Sequence, residues 1–197
     1  YNGSTSIAAG ILSASNVVGA DNIGLTGSGS VASANASGTP QTLNLSGLSL
    51  TNSNYTLTGA SGSVTINPLP VMLTGTQVYN GSTAVTASLS ASNLIGGDTL
   101  TISGAPTGTL ASANAGAQAM TSLAGLSLSN SNYTLTGGTG TVTVTPLVVT
   151  LTGSRSYNGS TSIAAGILSA SNVVGADNIG LTGSGSVASA NASATPQ

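Results

Sequence analysis

Four side chains of this sequence carry a formal charge at neutral pH: Asp21, Asp98, Asp177 and Arg155. Five tyrosines, at positions 1, 55, 79, 133 and 157, stand among many Ser, Thr and Asn, and there is no Lys, Glu, His, Cys, Trp or Phe. General acid–base catalysis sets a His or a carboxylate against the substrate proton. A carboxylate dyad would have to join aspartates that lie 77 or 79 residues apart, and the hydroxyls have no His or Lys to activate them. Calcium takes several oxygen ligands, usually more than one of them a carboxylate. One Asp per stretch argues against a strong site, and a weak one at a junction stays open. We therefore expect no catalytic residue, no cofactor and no metal centre, and the chain does not read as an enzyme. Asp21, Asp98 and Asp177 each follow a Gly-containing GAD or GGD sequence, which assigns them to turns. The tyrosines, Tyr55 and Tyr133 among them, read as core rings with a bonded hydroxyl; a sugar-binding stripe is the alternative.

The balance of polarity without charge excludes several classes of partner. The chain is 39% hydrophobic with a net charge of −2, whereas disordered chains are poor in apolar residues and rich in charge. Nucleic acid binding needs Lys and Arg to displace counterions from phosphates, and one Arg does not suffice. Apolar runs are broken every few residues by Ser, Thr or Gly, so neither a signal peptide nor a membrane-inserting segment is expected. Without Cys there are no disulfides, and without Lys there are no isopeptide staples. Eight Asn-x-Ser/Thr sequons leave glycosylation open. Intracellular domains average about 25% charged residues; the 2% found here points to an extracellular chain.

The chain repeats. YNGST occurs at Tyr1–Thr5, Tyr79–Thr83 and Tyr157–Thr161, 78 residues apart each time, and SNYTLTG at Ser53–Gly59 and Ser131–Gly137 keeps the same spacing. Residues 157–197 match residues 1–41 at every position except one, Ala194 for Gly38, while the copy between them is more divergent. The underlying period is therefore 156 residues, two alternating copies.

Within a copy, apolar and polar residues alternate as in strands with one buried face. Leu69, Val71 and Leu73 do so, as do Leu147, Val149 and Leu151, Tyr55 and Leu57, Tyr133 and Leu135, and Val142 and Val144. IAAGILSASN is the one place for a short helix. At Gly47 and Gly125 the leucine alternation slips by one residue, which predicts a β-bulge. Asn2-Gly3, Asn80-Gly81 and Asn158-Gly159 predict tight turns, since both residue types tolerate positive φ. The junctions Asn67-Pro68-Leu69-Pro70 and Thr145-Pro146-Leu147 are short, and proline stiffens them. The expectation is an all-β chain, a tandem array of small Ig-like β-sandwich domains stacked end to end as a rod, with a β-grasp-like domain as the alternative. In that frame residues 1–68 are a first copy without its first strand, 69–145 a complete one, and 146–197 a third that ends mid-fold, as in part of a longer protein.

The ordered series LTG, YNGST, GAD or GGD, SAN, GLSL, SNYTLTG and TVTVTP resembles the YDG-type repeats of filamentous-haemagglutinin-like, two-partner-secreted adhesins of Gram-negative bacteria. Asn2, Asn80 and Asn158 stand where that family commonly has Asp, and Asn fills a turn equally well. The resemblance implies export, attachment at the cell surface, and a stalk or adhesive role in adhesion or biofilm formation. Three functions compete: a stalk projecting a binding tip, a matrix or sheath fibre in which identical chains assemble laterally, and a weak carbohydrate-binding module. An ice-binding Thr ladder is a remote fourth, because Thr141-Thr143-Thr145 is not sustained. The expected partners are neighbouring repeats of the same chain, identical chains in a fibre, and host or matrix glycans bound through a region outside this sequence.

Overall fold

The alternating run Leu69–Val78 and the longer Tyr133–Thr145 are the two interior strands of the middle copy's four-stranded sheet. The computed structural model describes residues 1–193 and Thr195. The chain is all-β and folds into several small sheets, with 3₁₀ turns at Ala9–Ile11 and Ala165–Ile167, inside IAAGILSASN. On one side Leu69–Val78 pairs antiparallel with Ser90–Ala91; on the other it lies parallel to Tyr133–Thr145, which pairs antiparallel with Gly116–Ala119. The first and last strands of the middle copy are thus parallel neighbours, whereas an Ig-like sandwich is built of antiparallel sheets. Parallel pairing needs a long crossover, and residues 79–132 supply it. Pro70 fits in this strand because the Asn93 side chain takes over there. Asn93 Nδ2 donates to the Pro70 carbonyl at 2.9 Å and its Oδ1 accepts from the Met72 amide at 2.9 Å.

Beside that sheet, Ile102–Gly104 pairs antiparallel with Leu126–Leu128. In the first copy Ser6–Ala8, Leu25–Ser30 and Leu48–Leu50 form a three-stranded sheet, and Gln41–Thr42 pairs with Ser63–Val64. In the third copy Leu151–Gly153 pairs with Leu168–Ala170, and Ser162–Ala164 with Ser184–Ser186. The core follows these pairings. Val71, Leu73, Leu126 and Tyr133 are buried together, with Leu110, Val142 and Val144 forming a second cluster of the same copy. Ile7, Val31, Leu43, Leu48 and Ile66 form the core of the first.

Three local expectations are corrected. Gly47 and Gly125 do not form bulges inside strands: each closes a turn that delivers the next leucine, with Leu48 N–H on Leu45 O at 2.9 Å and Leu126 N–H on Leu123 O at 3.3 Å. The turn brings two backbones into contact. A Cβ on Gly27 would run into the Gly47 carbonyl oxygen, and one on Gly104 into that of Gly125, so only glycine fits there. The register shift that does occur lies between Thr134 and Thr139. The Asn-Gly turns hold as turns, but only the glycine has positive φ, at 72° in Gly3, Gly81 and Gly159. Asn2 instead accepts the Ser4 amide on its side-chain oxygen at 3.0 Å, and Asn80 and Asn158 do the same for Ser82 and Ser160, an Asx turn. The Leu147, Val149, Leu151 alternation does not mark a buried face: Val149 is 36% and Leu151 41% exposed.

Candidate functional site

The residues with chemical potential meet where one copy abuts the next. Asp98 closes a turn, its amide on the Ile95 carbonyl at 3.1 Å, and its half-buried carboxylate points toward the end of the preceding copy. Two phenols donate to the same oxygen: Tyr133 Oη to Asp98 Oδ2 at 2.9 Å, from the last strand of the same copy, and Tyr1 Oη at 2.8 Å, from the YNGST turn of the copy before. Tyr133 Oη in turn accepts the Ile95 amide at 2.7 Å. The two rings meet edge to face, their centroids 5.7 Å apart, a favoured aromatic geometry. The Tyr1 ring packs against both the first-copy and the middle-copy core clusters.

Around this clasp the joint is closed by amides and by shape. Asn132, 8% exposed, accepts the Ala36 amide on Oδ1 at 2.8 Å and donates through Nδ2 to Asn35 Oδ1 at 3.2 Å. The Tyr1 backbone nitrogen donates to the Asn67 carbonyl at 2.6 Å, as the Tyr79 amide does to Thr145 at 2.8 Å in the next copy. A Cβ on Gly3 would sit 2.9 Å from Ile95 Cγ2, so the turn glycine lets the joint close.

The second joint repeats the design. Tyr79 Oη donates to Asp177 Oδ2 at 2.7 Å, and a Cβ on Gly81 would lie 2.6 Å from Val174 Cγ1. Within the first copy Tyr55 Oη donates to Asp21 Oδ2 at 2.9 Å and accepts the Val18 amide at 2.9 Å. Each Asp is thus an acceptor for up to two tyrosines, one from its own SNYTLTG segment and one from the preceding YNGST turn. A carboxylate beside a phenol opposes formation of phenolate. The Asp98 hydrogen bond raises the Tyr1 pKa and the Asp177 hydrogen bond that of Tyr79; Tyr133 is raised first by burial, then by Asp98 against the lowering effect of the Ile95 amide.

The structure puts the amides of Asp21, Asp98 and Asp177 in turns and bonds the hydroxyls of Tyr55 and Tyr133. What the sequence reading missed is that these are one constellation. The clue was present, since each YNGST-to-SNYTLTG interval holds one Asp and is bounded by two Tyr. Arg155 occupies the position of Gln77 and does similar work. Gln77 holds the loop after YNGST through Ala84 O and the Thr86 amide, and the Arg155 guanidinium holds its counterpart through the Ser160 and Ser162 carbonyls.

Among the described residues no three His, Cys, Asp or Glu side chains come together to hold a metal, and no helix is long and apolar enough to cross a membrane. The arrangement can hold copies together, and at the second joint the bonded pair Tyr79 and Asp177 also lines a cavity of about 300 Å³. Comparison with curated proteins and with solved structures returns no match. A family model described as the YDG domain matches residues 1–63 and again residues 65–143. Two successive matches cover most of the sequence, and the chain belongs to the YDG domain family.

Proposed function

We propose that this chain is a stalk or spacer section of a bacterial cell-surface or secreted adhesin of the filamentous-haemagglutinin type, serving adhesion or biofilm formation by carrying a binding tip away from the cell. The observation that supports this reading is the recurrent joint: Tyr1 reaches Asp98 and Tyr79 reaches Asp177, so acidic and phenolic groups are engaged in joining copies end to end. Tyrosines whose hydroxyls are already bonded are poorly placed to form a glycan-binding stripe, which favours the spacer over the carbohydrate-binding module. The same reading makes the chain non-enzymatic and extracellular, with neighbouring repeats as its main partners.

The structural part of the proposal is a stiff rod whose domain frame runs 1–68, 69–145 and 146–197. The parallel pairing of first and last strands in residues 69–145 favours the β-grasp-like alternative over the Ig-like sandwich for that unit. Chains of two, four and six repeats, examined by small-angle scattering or electron microscopy, should lengthen in proportion to repeat number. In the native protein, deletion of one 156-residue period should shorten the reach and leave adhesion intact. A square-root dependence of length, or adhesion lost in proportion to the repeats removed, would sink the spacer reading.

A further inference from the structure

The first joint brings two aromatic rings together across the boundary between copies. Tyr1 and Tyr133 lie edge to face with centroids 5.7 Å apart, and their hydroxyls converge on one atom, Asp98 Oδ2, at 2.8 and 2.9 Å. A shared acceptor draws together the ring ends that bear the hydroxyls, and with them the ortho carbons. Those carbons are where phenoxyl radicals couple. Tyr133 is 4% exposed, which keeps the rings of other molecules away from it, whereas half-buried Tyr1 is open to solvent on part of its surface. The side chains that most readily divert an oxidant are missing: the chain has no Cys, Trp or His and only two Met. The contact belongs to the repeat and not to residue 1 alone, since Tyr79, the next YNGST tyrosine, reaches Asp177 in the same way at 2.7 Å.

We propose that Tyr1 and Tyr133 form an oxidative cross-linking site, at which peroxide activated by a haem peroxidase joins them as dityrosine and staples one copy covalently to the next. The oxidant takes one electron from Tyr1 as its hydroxyl proton passes to Asp98 and on to water. A second one-electron step does the same at Tyr133. The two phenoxyl radicals join through their ortho carbons, forming one C–C bond, and the hydrogens on those carbons move to the oxygens and restore both phenols. Two protons and two electrons leave in all, and they reduce one peroxide to two waters. Radicals held in contact couple within the molecule sooner than they meet a partner in solution. The chain has neither Cys for a disulfide nor Lys for an isopeptide bond, and this bond takes that part. A cross-link restricts the unfolded ensemble, the more so the longer the loop it closes, and this one closes residues 1–133. Tyr55 on Asp21 and Tyr79 on Asp177 meet no second ring among the described residues and stay single. The inference goes beyond the spacer reading and does not depend on it.

The test is brief oxidation of the dilute 197-residue chain with hydrogen peroxide and a haem peroxidase. Dityrosine fluorescence should appear in material that still runs as a single chain, with a mass lower by two hydrogens. A peptide map of that product should join the peptide carrying Tyr1 to the one carrying Tyr133. Trypsin cuts this chain only after Arg155, so the fluorescence should stay with residues 1–155 and leave Tyr157, which is 68% exposed, on the other fragment. Tyr1→Phe keeps the ring and should lose the single-chain fluorescence; Tyr157→Phe should retain it. Oxidation of the parent in denaturant, where the rings separate, should abolish the Tyr1–Tyr133 product. Fluorescence confined to dimers and larger species overturns the proposal, and so does single-chain fluorescence that persists in Tyr1→Phe. A parent that gains only sulfoxides at Met72 and Met120 overturns it equally, and the peptide map of the parent decides without recourse to any variant.

Discussion

Residues 1–41 and 157–197 carry one sequence apart from Gly38 and Ala194, yet they do not form the same strands. Leu168–Ala170 is a strand because Leu151–Gly153 lies beside it; its twin Leu12–Ala14 has no such neighbour and is not. Conversely, Leu25–Ser30 runs six residues because Leu48–Leu50 pairs with its first half, while in the third copy only Ser184–Ser186 is strand. Burial follows: Ile7 is 6% exposed and its twin Ile163 is half-buried. The SNYTLTG segments show the same effect, with thirteen residues of strand at Tyr133–Thr145 and two, Ser63–Val64, in the first copy. Alternating β-branched residues make a segment able to be a strand; a partner edge makes it one. Stability should therefore differ between positions of equal sequence.

The largest expected contrast is between Leu73 and Leu151. Leu73→Ala empties a fully packed site and should cost about 4 kcal/mol, whereas Leu151→Ala removes a side chain that is 41% exposed and should cost below about 1 kcal/mol. Amide exchange at Thr141–Thr145 for the first and at Leu168–Ala170 for the second reads the difference without assuming that the whole chain unfolds as one unit. Equal costs would mean that the third copy is as well packed as the middle one, and the comparison would fail.

Glycine offers the next contrast. Gly27 and Gly183 are twins with φ of 83° and 86°. A Cβ on Gly27 collides with the Gly47 carbonyl, whereas one on Gly183 meets nothing within 4 Å. Gly183→Ala should therefore cost only its left-handed backbone, about 1 kcal/mol. Gly27→Ala adds a backbone displacement and should cost about 3 kcal/mol. Chemical denaturation followed at resonances of each copy separates the two, and a ratio near unity would remove the Leu48–Leu50 partnership as the cause.

These contrasts mark how far the sequence is legible. Alternation disclosed the strands, the repeat and the core residues Val71, Leu73, Val142 and Val144, because a period of two records which face is buried. It does not record direction or partner, so the parallel pairing of Leu69–Val78 with Tyr133–Thr145 and the exposure of Val149 and Leu151 were hidden. The Asn-Gly turns were visible as turns but not as Asx turns, since the distinction lies in Asn φ. The clasp was hidden for another reason: Tyr1 and Asp98 are 97 residues apart, and a local reading of Asp98 finds only its turn.

At the clasp, two donors on Asp98 and one donor, from the same copy, on Asp21 allow a finer comparison. Tyr133→Phe removes a hydrogen bond to a half-buried carboxylate and leaves the Ile95 amide without its acceptor, so it should cost about 2 kcal/mol. Tyr55→Phe makes the same deletion at the exposed Asp21 and should cost about 1 kcal/mol or less. If the two variants melt alike, burial at the joint contributes nothing to the clasp.

The smallest effect is a pH dependence, and its direction follows from the phenols. Tyr1, Tyr79 and Tyr133 hold their protons above the ordinary tyrosine value of 10.0. A proton bound more tightly in the folded state stabilises it fully below the unfolded value, and that contribution is lost as pH rises through the folded value. The joints should accordingly hold through neutral and mildly alkaline solution and loosen above pH about 10. Asp98→Asn tests the cause. It removes the anion that faces two phenols, so two tyrosines should ionise at lower pH in an ultraviolet phenolate titration. Tyr1 should fall further than Tyr133, because burial is the larger cause at Tyr133 and survives the substitution. Asp177→Asn should move Tyr79 alone. A titration curve of Asp98→Asn that superimposes on the parent would show that the carboxylate does not hold these hydroxyls, and the first joint would then rest on Asn132 and the packing of the Tyr1 ring.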